Sequence, residues 1–274
     1  MSVILLLDNG SLQAEATKQL RQLAHALSLK CGQTIHPVSL QHADKIPPTD
    51  LEGLPAQTFV VFMQQHLSQG ERDFIILPLF FGESRAVTTF IPSEIATLKA
   101  LFGDFNIAIA DVLYPLPEGE PQLVNIIYEN TLATAETHHV PLKNIVLVDH
   151  GSPVPRVTEV REHIANQIQT KFADNIQIDQ AVMERREGVE YDFNGILLED
   201  WLMKKAASGE STAIVTLLFF LAGRHAGKGG DIQQICEKVM RKYPDFTIVI
   251  SPLVSEHKDL LLILHERFQP PSTH

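Results

Sequence analysis

The sequence predicts an α/β protein made of two tandem, duplicated parallel-sheet domains. Apolar segments of strand length alternate with amphipathic helical segments along the 274 residues, the pattern of a parallel sheet covered by helices. The segment 212–221 is almost wholly apolar and carries no charge, as expected of a strand that is covered on both faces. Loop sequences of the first half also recur in the second half, which indicates an internal duplication.

The first half contains four predicted strands and four predicted helices. The amphipathic pattern is clearest in the first helix, where Leu20, Leu23 and Leu27 recur at helical spacing. Gly70 closes the second helix, because glycine readily adopts the left-handed conformation found after many helix ends. The predicted strands are 3–7, 34–40, 73–81 and 105–113, and the predicted helices are 11–30, 56–69, 93–102 and 122–136, with a loop at 82–87.

The second half repeats the same succession of elements. Gly209 closes its second helix, and Asp231 is the predicted N-cap of its third helix, because a carboxylate accepts from free backbone N–H groups there. The predicted strands are 144–149, 176–183, 212–221 and 246–254, and the predicted helices are 155–172, 194–208, 231–242 and 257–268.

The duplication is specific because it preserves loop residues as well as apolar strands. Asp8-Asn9-Gly10-Ser11 matches Asp149-His150-Gly151-Ser152 at an offset of 141 residues, and Leu79-Phe80-Phe81 matches Leu218-Phe219-Phe220 at an offset of 139. The connection 131–142 is the predicted boundary, which gives an N-terminal domain at 1–137 and a C-terminal domain at 138–274.

Composition excludes several classes of function. A net charge of −11 argues against non-specific binding to nucleic acid or to an acidic membrane surface. No apolar run approaches the roughly 20 residues that span a bilayer, and the N-terminal segment lacks the features of a signal peptide, so we expect a soluble, cytoplasmic protein. Cys31 and Cys236 lack metal-ligand spacing, which predicts buried structural thiols and no iron–sulfur cluster.

Two histidines stand on loops that follow neighbouring strands. His150 follows the first strand of the second half and His225 the third; in a flavodoxin-like sheet of order 2-1-3-4 these strands are adjacent and their loops diverge into a crevice. Neutral imidazoles bind first-row divalent metals, and two protein ligands leave positions open for transfer. We therefore predict that His150 and His225 bind a divalent metal; the alternative is a pair of structural histidines bonded to backbone.

The first half lacks these groups. Asn9 stands at the position of His150, Ala86 at that of His225 and Gln41 near that of Glu184, which follows the second strand of the second half. Glu184 is therefore a candidate base or charge partner in the same crevice, with a solvated loop charge as the alternative. The joint absence predicts one functional site, in the second half, with random drift as the alternative explanation.

Several further polar side chains surround these loops. In a chain of net charge −11, the local excess of cations indicates a polyanionic substrate, because guanidinium groups pair well with carboxylates. Surface solvation is the alternative for each cation. The candidate substrate-binding residues are Ser152, Arg185, Arg224 and His257.

The sequence resembles the sirohydrochlorin chelatases, the long, duplicated class II chelatases, over nearly its whole length and most specifically in its second half. The resemblance rests on His150-Gly-Ser, on Gly223-Arg-His-Ala-Gly-Lys-Gly-Gly-Asp-Ile232 and on Met183-Glu-Arg-Arg with Tyr191-Asp-Phe-Asn-Gly195. It implies two chelatase-type domains that face a central cleft, and insertion of ferrous or cobaltous ion into sirohydrochlorin without nucleotide hydrolysis. It also implies that His150 and His225 bind the metal substrate and that Glu184 assists pyrrole deprotonation.

Two other functions compete with this interpretation. A carrier of metal or tetrapyrrole would need the same histidines, so the sequence leaves it open. A nucleotide-binding function is disfavoured, because the glycines near Gly227 lack the G-x-x-x-x-G-K-[ST] spacing. The physiological metal, the choice between sirohaem and cobalamin synthesis and the oligomeric state are also left open.

Overall fold

The structure is a computed structural model that describes residues 2–268, and it divides into two compact units. The first unit comprises the chain up to Glu118 together with the chain from Lys258 onward, and the second comprises Gly119–His257. Among the described residues, no helix is both long enough and apolar enough to cross a membrane.

The first unit contains a parallel four-stranded sheet of order β2-β1-β3-β4. Its strands are β1 (Val3–Asp8), β2 (Ile35–Ser39), β3 (Asp73–Pro78) and β4 (Asn106–Ile109). Its helices are α1 (Ala14–Cys31), α2 (Phe59–Ser68), α3 (Ile91–Phe102) and α8 (Leu260–Phe268).

The second unit contains a sheet of the same order, β6-β5-β7-β8, also wholly parallel. Its strands are β5 (Ile145–Asp149), β6 (Ile178–Val182), β7 (Thr212–Leu217) and β8 (Thr247–Ile250). Its helices are α4 (Pro121–Thr137), α5 (Pro155–Gln169), α6 (Leu198–Ala207) and α7 (Asp231–Lys242).

The duplication is visible in the backbone of both sheets. Every residue of the central strands β1 and β5 is buried, as the apolar sequences require. The N–H of Leu79 donates to the carbonyl of Leu7 at 2.8 Å, and the N–H of Leu218 donates to that of Val148 at 2.9 Å, at nearly the offset found in the sequence. The predicted α/β class, the duplication and the strand order are confirmed.

The fourth helix of each repeat is placed differently from the other three. The second unit contains α4, whose Thr131 hydroxyl lies 3.0 Å from that of Thr216 in β7. The first unit contains α8, where Nε of Arg267 donates to the carbonyl of Val112 at 3.3 Å. Each compact unit therefore includes the last helix of the other repeat. For this reason the units divide the chain after Glu118 and after His257, whereas the predicted boundary between the repeats lies near residue 137.

Several predicted element ends differ from the structure. β7 ends at Leu217 instead of residue 221, although Leu218 and Phe220 in the segment after it are still buried. The predicted loop 82–87 runs into a π-helical turn (Ala86–Phe90) that leads into α3. The expectation of two buried thiols is correct for Cys236, whereas Cys31 is only half-buried because it is the last residue of α1.

Candidate metal centre

Three potential metal ligands follow neighbouring strands of the second unit. His150 is the first residue after β5, Glu184 follows β6 closely, and His225 lies in the longer loop between β7 and α7. Because β5 pairs with both β6 and β7 in parallel, the three loops leave the sheet at the same edge.

The side chains of the three residues converge on one small region at this edge of the sheet. Nε2 of His150 lies 3.2 Å from Oε1 of Glu184, and the centroids of the two imidazole rings are 4.6 Å apart with their planes at 75°. One ligand atom from each of the three residues lies within 4.8 Å of the other two. Ligands about 2.1 Å from one ion can be at most about 4.2 Å apart, so a small side-chain movement completes the geometry.

The ring of His150 is oriented by its own loop. Nδ1 lies 3.0 Å from the carbonyl oxygen of Gly151, and since a carbonyl only accepts, this nitrogen carries the proton. In the neutral ring, Nε2 then presents a lone pair toward the Glu184 carboxylate. Two acceptors at this distance need a proton or a cation between them, and a divalent metal ion meets that need.

His225 is half-buried and lies beside a carboxylate. Its side chain is 15% exposed, and Nδ1 lies 2.8 Å from Oδ2 of Asp231, close enough for an ion pair but not aligned as a hydrogen bond. Burial, followed by the charge of His150, lowers the pKa of His225, whereas Asp231 and Glu184 act in the opposite direction. His225 therefore remains neutral, and able to bind metal, below the pH at which a free histidine protonates.

Asp231 does not have its predicted role as the N-cap of α7. Gly230 occupies the cap position and Asp231 is the first helical residue. Its carboxylate lies instead beside two potential cations, His225 and the Nε of Arg224 at 3.2 Å. Because α7 begins one residue earlier than predicted, the Asp231 carboxylate lies beside His225 and does not cap the helix.

The loop of His150 passes so close to Glu184 that position 151 requires glycine. The N–H of Glu184 donates to the carbonyl of His150 at 3.1 Å, and a Cβ at Gly151 would lie 2.0 Å from the carbonyl oxygen of Glu184. Gly151 also has φ of 89°, in the left-handed region.

Gly151→Ala is expected to destabilise the second unit by about 2 kcal/mol or more and to weaken binding of Co²⁺, because the displaced loop carries His150. Gly10→Ala is the matched control: its Cβ would lie 1.8 Å from the carbonyl oxygen of Gln41 in the first unit, with φ of 85°. Calorimetric unfolding and Co²⁺ titration below the unfolding range check both variants. An equal loss of Co²⁺ affinity in Gly10→Ala would contradict the assignment.

A buried polar network under the His150 loop was not predicted from the sequence. Nη1 of Arg161 donates to Oδ1 of Asp149 at 2.7 Å, and Nη2 donates to the carbonyl of Asn194 at 2.8 Å. The side-chain amide of Asn194 accepts from the N–H of Ser152 and donates to its carbonyl, both at 2.9 Å. Burial raises the pKa of Asp149, and the guanidinium acts against that rise. Alignment of the two repeats could have identified Arg161, because it places this arginine at the position of Leu20, a buried apolar residue of α1.

The predicted substrate-binding residues have different surroundings. The Ser152 hydroxyl accepts from the N–H of Val154 at 3.1 Å, within the His150 loop. Arg224 is 73% exposed beside Asp231 and so lies near the three ligands. Nη1 of Arg185 donates to Asp192 at 3.0 Å and to the carbonyl of Gly195 at 3.1 Å. Nε2 of His257 lies 3.1 Å from Oε2 of Glu129, outside the group formed by His150, Glu184 and His225.

The first unit has the same backbone arrangement without the ligands. The N–H of Gln41 donates to the carbonyl of Asn9 at 3.3 Å, the counterpart of the bond from Glu184 to His150. Gln41 is therefore the structural equivalent of Glu184. Ala86 begins the π-helical turn before α3 and offers no ligand atom in its side chain.

Comparisons with known proteins agree with the repeat. The CbiX family model matches residues 3–131 and 144–270. SirB from Bacillus subtilis with Fe³⁺ is a similar solved structure, with 16% sequence identity and a TM-score of 0.66 over 97% of this chain and 94% of that chain. The sirohydrochlorin chelatase SirB from Bacillus subtilis subspecies spizizenii in complex with cobalt gives the same values.

A third similar structure is CbiX, described as the terminal enzyme for biosynthesis of siroheme in denitrifying bacteria. It is 13% identical, with a TM-score of 0.61 over 99% of this chain and 100% of that chain. A comparison with curated protein sequences finds no match. At these identities the solved structures establish a common fold.

Proposed function

The chain belongs to the CbiX family, and we propose that it is a sirohydrochlorin chelatase whose second repeat inserts a divalent metal ion, ferrous or cobaltous, into sirohydrochlorin. One observation carries the proposal: His150, His225 and Glu184 converge within 4.8 Å at the carboxyl ends of neighbouring strands. The cobalt and iron complexes of SirB support a metal substrate of this kind.

The ligand set suits an ion that is passed on. Two imidazoles and one carboxylate leave coordination positions open, so that pyrrole nitrogens can bind the ion before the protein releases it. Glu184 is 59% exposed and His150 52% exposed on their side chains, so the ligands are open to solvent on one side. Insertion is fast when the protein stabilises the transition state, in which imidazole and macrocycle share the ion, more than it stabilises the ion bound to the protein alone.

Proton transfer completes the reaction. A neutral macrocycle that takes up a divalent ion releases two pyrrole protons, and charge is balanced when both leave the site. The Glu184 carboxylate accepts them one at a time and passes each to water, to which it is exposed. Arg224, exposed beside the metal centre, is placed to attract the acidic groups of the substrate.

The wild-type protein is expected to insert Co²⁺ and Fe²⁺ into sirohydrochlorin faster than the spontaneous reaction. The initial rate of the change in macrocycle absorption, measured with each metal in parallel and under anaerobic conditions, checks this. The double variant His150→Asn with His225→Ala is the matched control, because it gives the second repeat the residues of the first. A wild-type rate equal to the spontaneous rate would contradict the proposal and indicate a carrier.

A further inference from the structure

The candidate metal centre lies beside a largely buried polar cluster whose members are not among the three potential metal ligands. We call Asp149, Arg161, Gln180 and Asn194 the Arg161 network. The guanidinium bonds to Asp149 at the end of β5, to Oε1 of Gln180 in β6 at 3.2 Å and to the carbonyl of Asn194. The Arg161 side chain is only 2% exposed, so its charge is almost fully removed from water.

The fold itself does not require this arginine. Burying an ion pair costs desolvation energy that the pair recovers only with good geometry, and apolar residues often serve stability equally well. The first repeat demonstrates the apolar solution, because Leu20 occupies the equivalent buried position of α1 and the sheet has the same strand order. At this position the repeat with the two histidines therefore has arginine, and the repeat without them has leucine.

The network fixes the His150 loop on both sides of the ligand. Before His150, the Asp149 carboxylate is held by Arg161 and itself accepts from the N–H of Gly151 at 3.1 Å. After it, the Asn194 side chain binds both backbone groups of Ser152. The short segment between these anchors carries the imidazole, whose Nδ1 is bonded to the Gly151 carbonyl.

We propose that Arg161 and Asn194 are positioning residues for metal insertion, which hold the His150 loop so that Nε2 of His150 stays within reach of Glu184 and His225. The inference rests on the proposed function of the second repeat. Neither side chain is a catalytic residue, since both act through the backbone of the loop. The network keeps the ligand oriented before the ion arrives, so the ion does not have to order the loop on binding.

The test uses the full-length protein and Co²⁺ alone as the probe. Arg161→Leu introduces the first-repeat residue, and Asn194→Ala removes the clamp on Ser152 while keeping the buried ion pair. Each is expected to raise the Kd for Co²⁺ by roughly 10- to 100-fold and to alter the visible absorption of bound cobalt as His150 leaves the coordination sphere. In the insertion assay, the KM for metal is expected to rise more than kcat falls.

Thr131→Val is the matched structural control. Thr131 of α4 is fully buried in the same unit, and its hydroxyl is bonded to the Ile127 carbonyl and lies near the Thr216 hydroxyl, neither of which belongs to the His150 loop. This variant is expected to lose stability while its Kd for Co²⁺ and the cobalt spectrum remain those of the wild type.

The outcomes separate the two proposals. Suppose that Co²⁺ binding is lost in His150→Ala but keeps the wild-type Kd in Arg161→Leu and Asn194→Ala. This result would overturn the positioning role and leave the proposed function intact. Absence of Co²⁺ binding and of insertion in the wild type would overturn both. If Arg161→Leu does not fold, Asn194→Ala decides the question alone, and a wild-type Kd in that variant overturns the inference.

Discussion

His225→Ala is expected to reduce the rate of metal insertion more strongly than the roughly 10- to 100-fold that follows loss of a residue supporting a ligand. Among the described residues, His225 and His150 are the two histidines of the candidate metal site, so the variant removes one of its two imidazoles, and His150→Ala is expected to have an equal effect. The fold should be preserved, because Asp231 retains Arg224 as an ion-pair partner when His225 is gone. Initial rates with Co²⁺, together with the thermal unfolding midpoint, check the prediction.

The first repeat supplies the control for this result. Asn9→Ala changes the residue equivalent to His150 in a loop of the same backbone geometry, and we expect an insertion rate close to wild type. Comparable losses in Asn9→Ala and His150→Ala would contradict the assignment of the site to the second repeat. Wild-type activity in His225→Ala would contradict its role as a metal ligand.

The sequence was sufficient to predict the sheets but not where every strand ends. The apolar character of β5 predicts a strand covered on both faces, and each of its residues is buried. Apolarity continues through Leu218 and Phe220, which are equally buried but unpaired with β8. A hydrophobic pattern reports burial, and it does not distinguish burial by strand pairing from burial by loop packing.

The placement of the fourth helices was also outside the reach of sequence periodicity. The apolar face of α4 is buried, and it packs on β7 of the second sheet, as the contact from Thr131 to Thr216 shows. Both repeats offer sheets of the same type, so an amphipathic helix could pack on either. The choice depends on the connection and on tertiary packing, neither of which has a local signature.

Within the site, the candidate metal ligands could be predicted from the sequence, whereas the buried residues that hold their loops could not. Loop position and strand order bring His150, Glu184 and His225 together as predicted, while their role as metal ligands stays a prediction. Arg161 was missed because an arginine in an amphipathic helix ordinarily lies on the solvated face. Alignment of the repeats places it opposite Leu20, and a buried charge in only one of two equivalent helices is the signal that could have identified it.

The same comparison predicts opposite effects for two equivalent substitutions. Burial raises the pKa of Asp8 to about 6, from an ordinary value of 3.8, against hydrogen bonds from Ser39 and the backbone of Gly10. One carboxylate oxygen, Oδ1, is buried with no hydrogen-bond partner among the residues that the structure describes. The folded state thus binds this proton more tightly than the unfolded state, so the contribution of Asp8 to stability is greatest below pH 3.8 and is lost as the pH rises through about 6.

Asp8→Asn is therefore expected to raise the free energy of unfolding of the first unit at pH 7.5 by about 2 kcal/mol, and to flatten its dependence on pH between 4 and 7. The gain is smaller than the roughly 3 kcal/mol implied by the full pKa shift, because a buried amide also needs partners. Urea unfolding across this pH range measures both effects.

Asp149→Asn is the matched substitution in the second unit, and it is expected to destabilise by about 3–5 kcal/mol, because it leaves the Arg161 guanidinium buried without its carboxylate. Whether the Asp-to-Asn substitution stabilises or destabilises its unit therefore depends on the residue at the equivalent buried position of the first helix, which is Leu20 in the first repeat and Arg161 in the second. Destabilisation of similar size in Asp8→Asn at pH 7.5 would mean that the Asp8 carboxylate is stabilised in its charged form. The two repeats would then not differ in the electrostatics beneath their equivalent loops, and the contrast that links Arg161 to the metal centre would lose its basis.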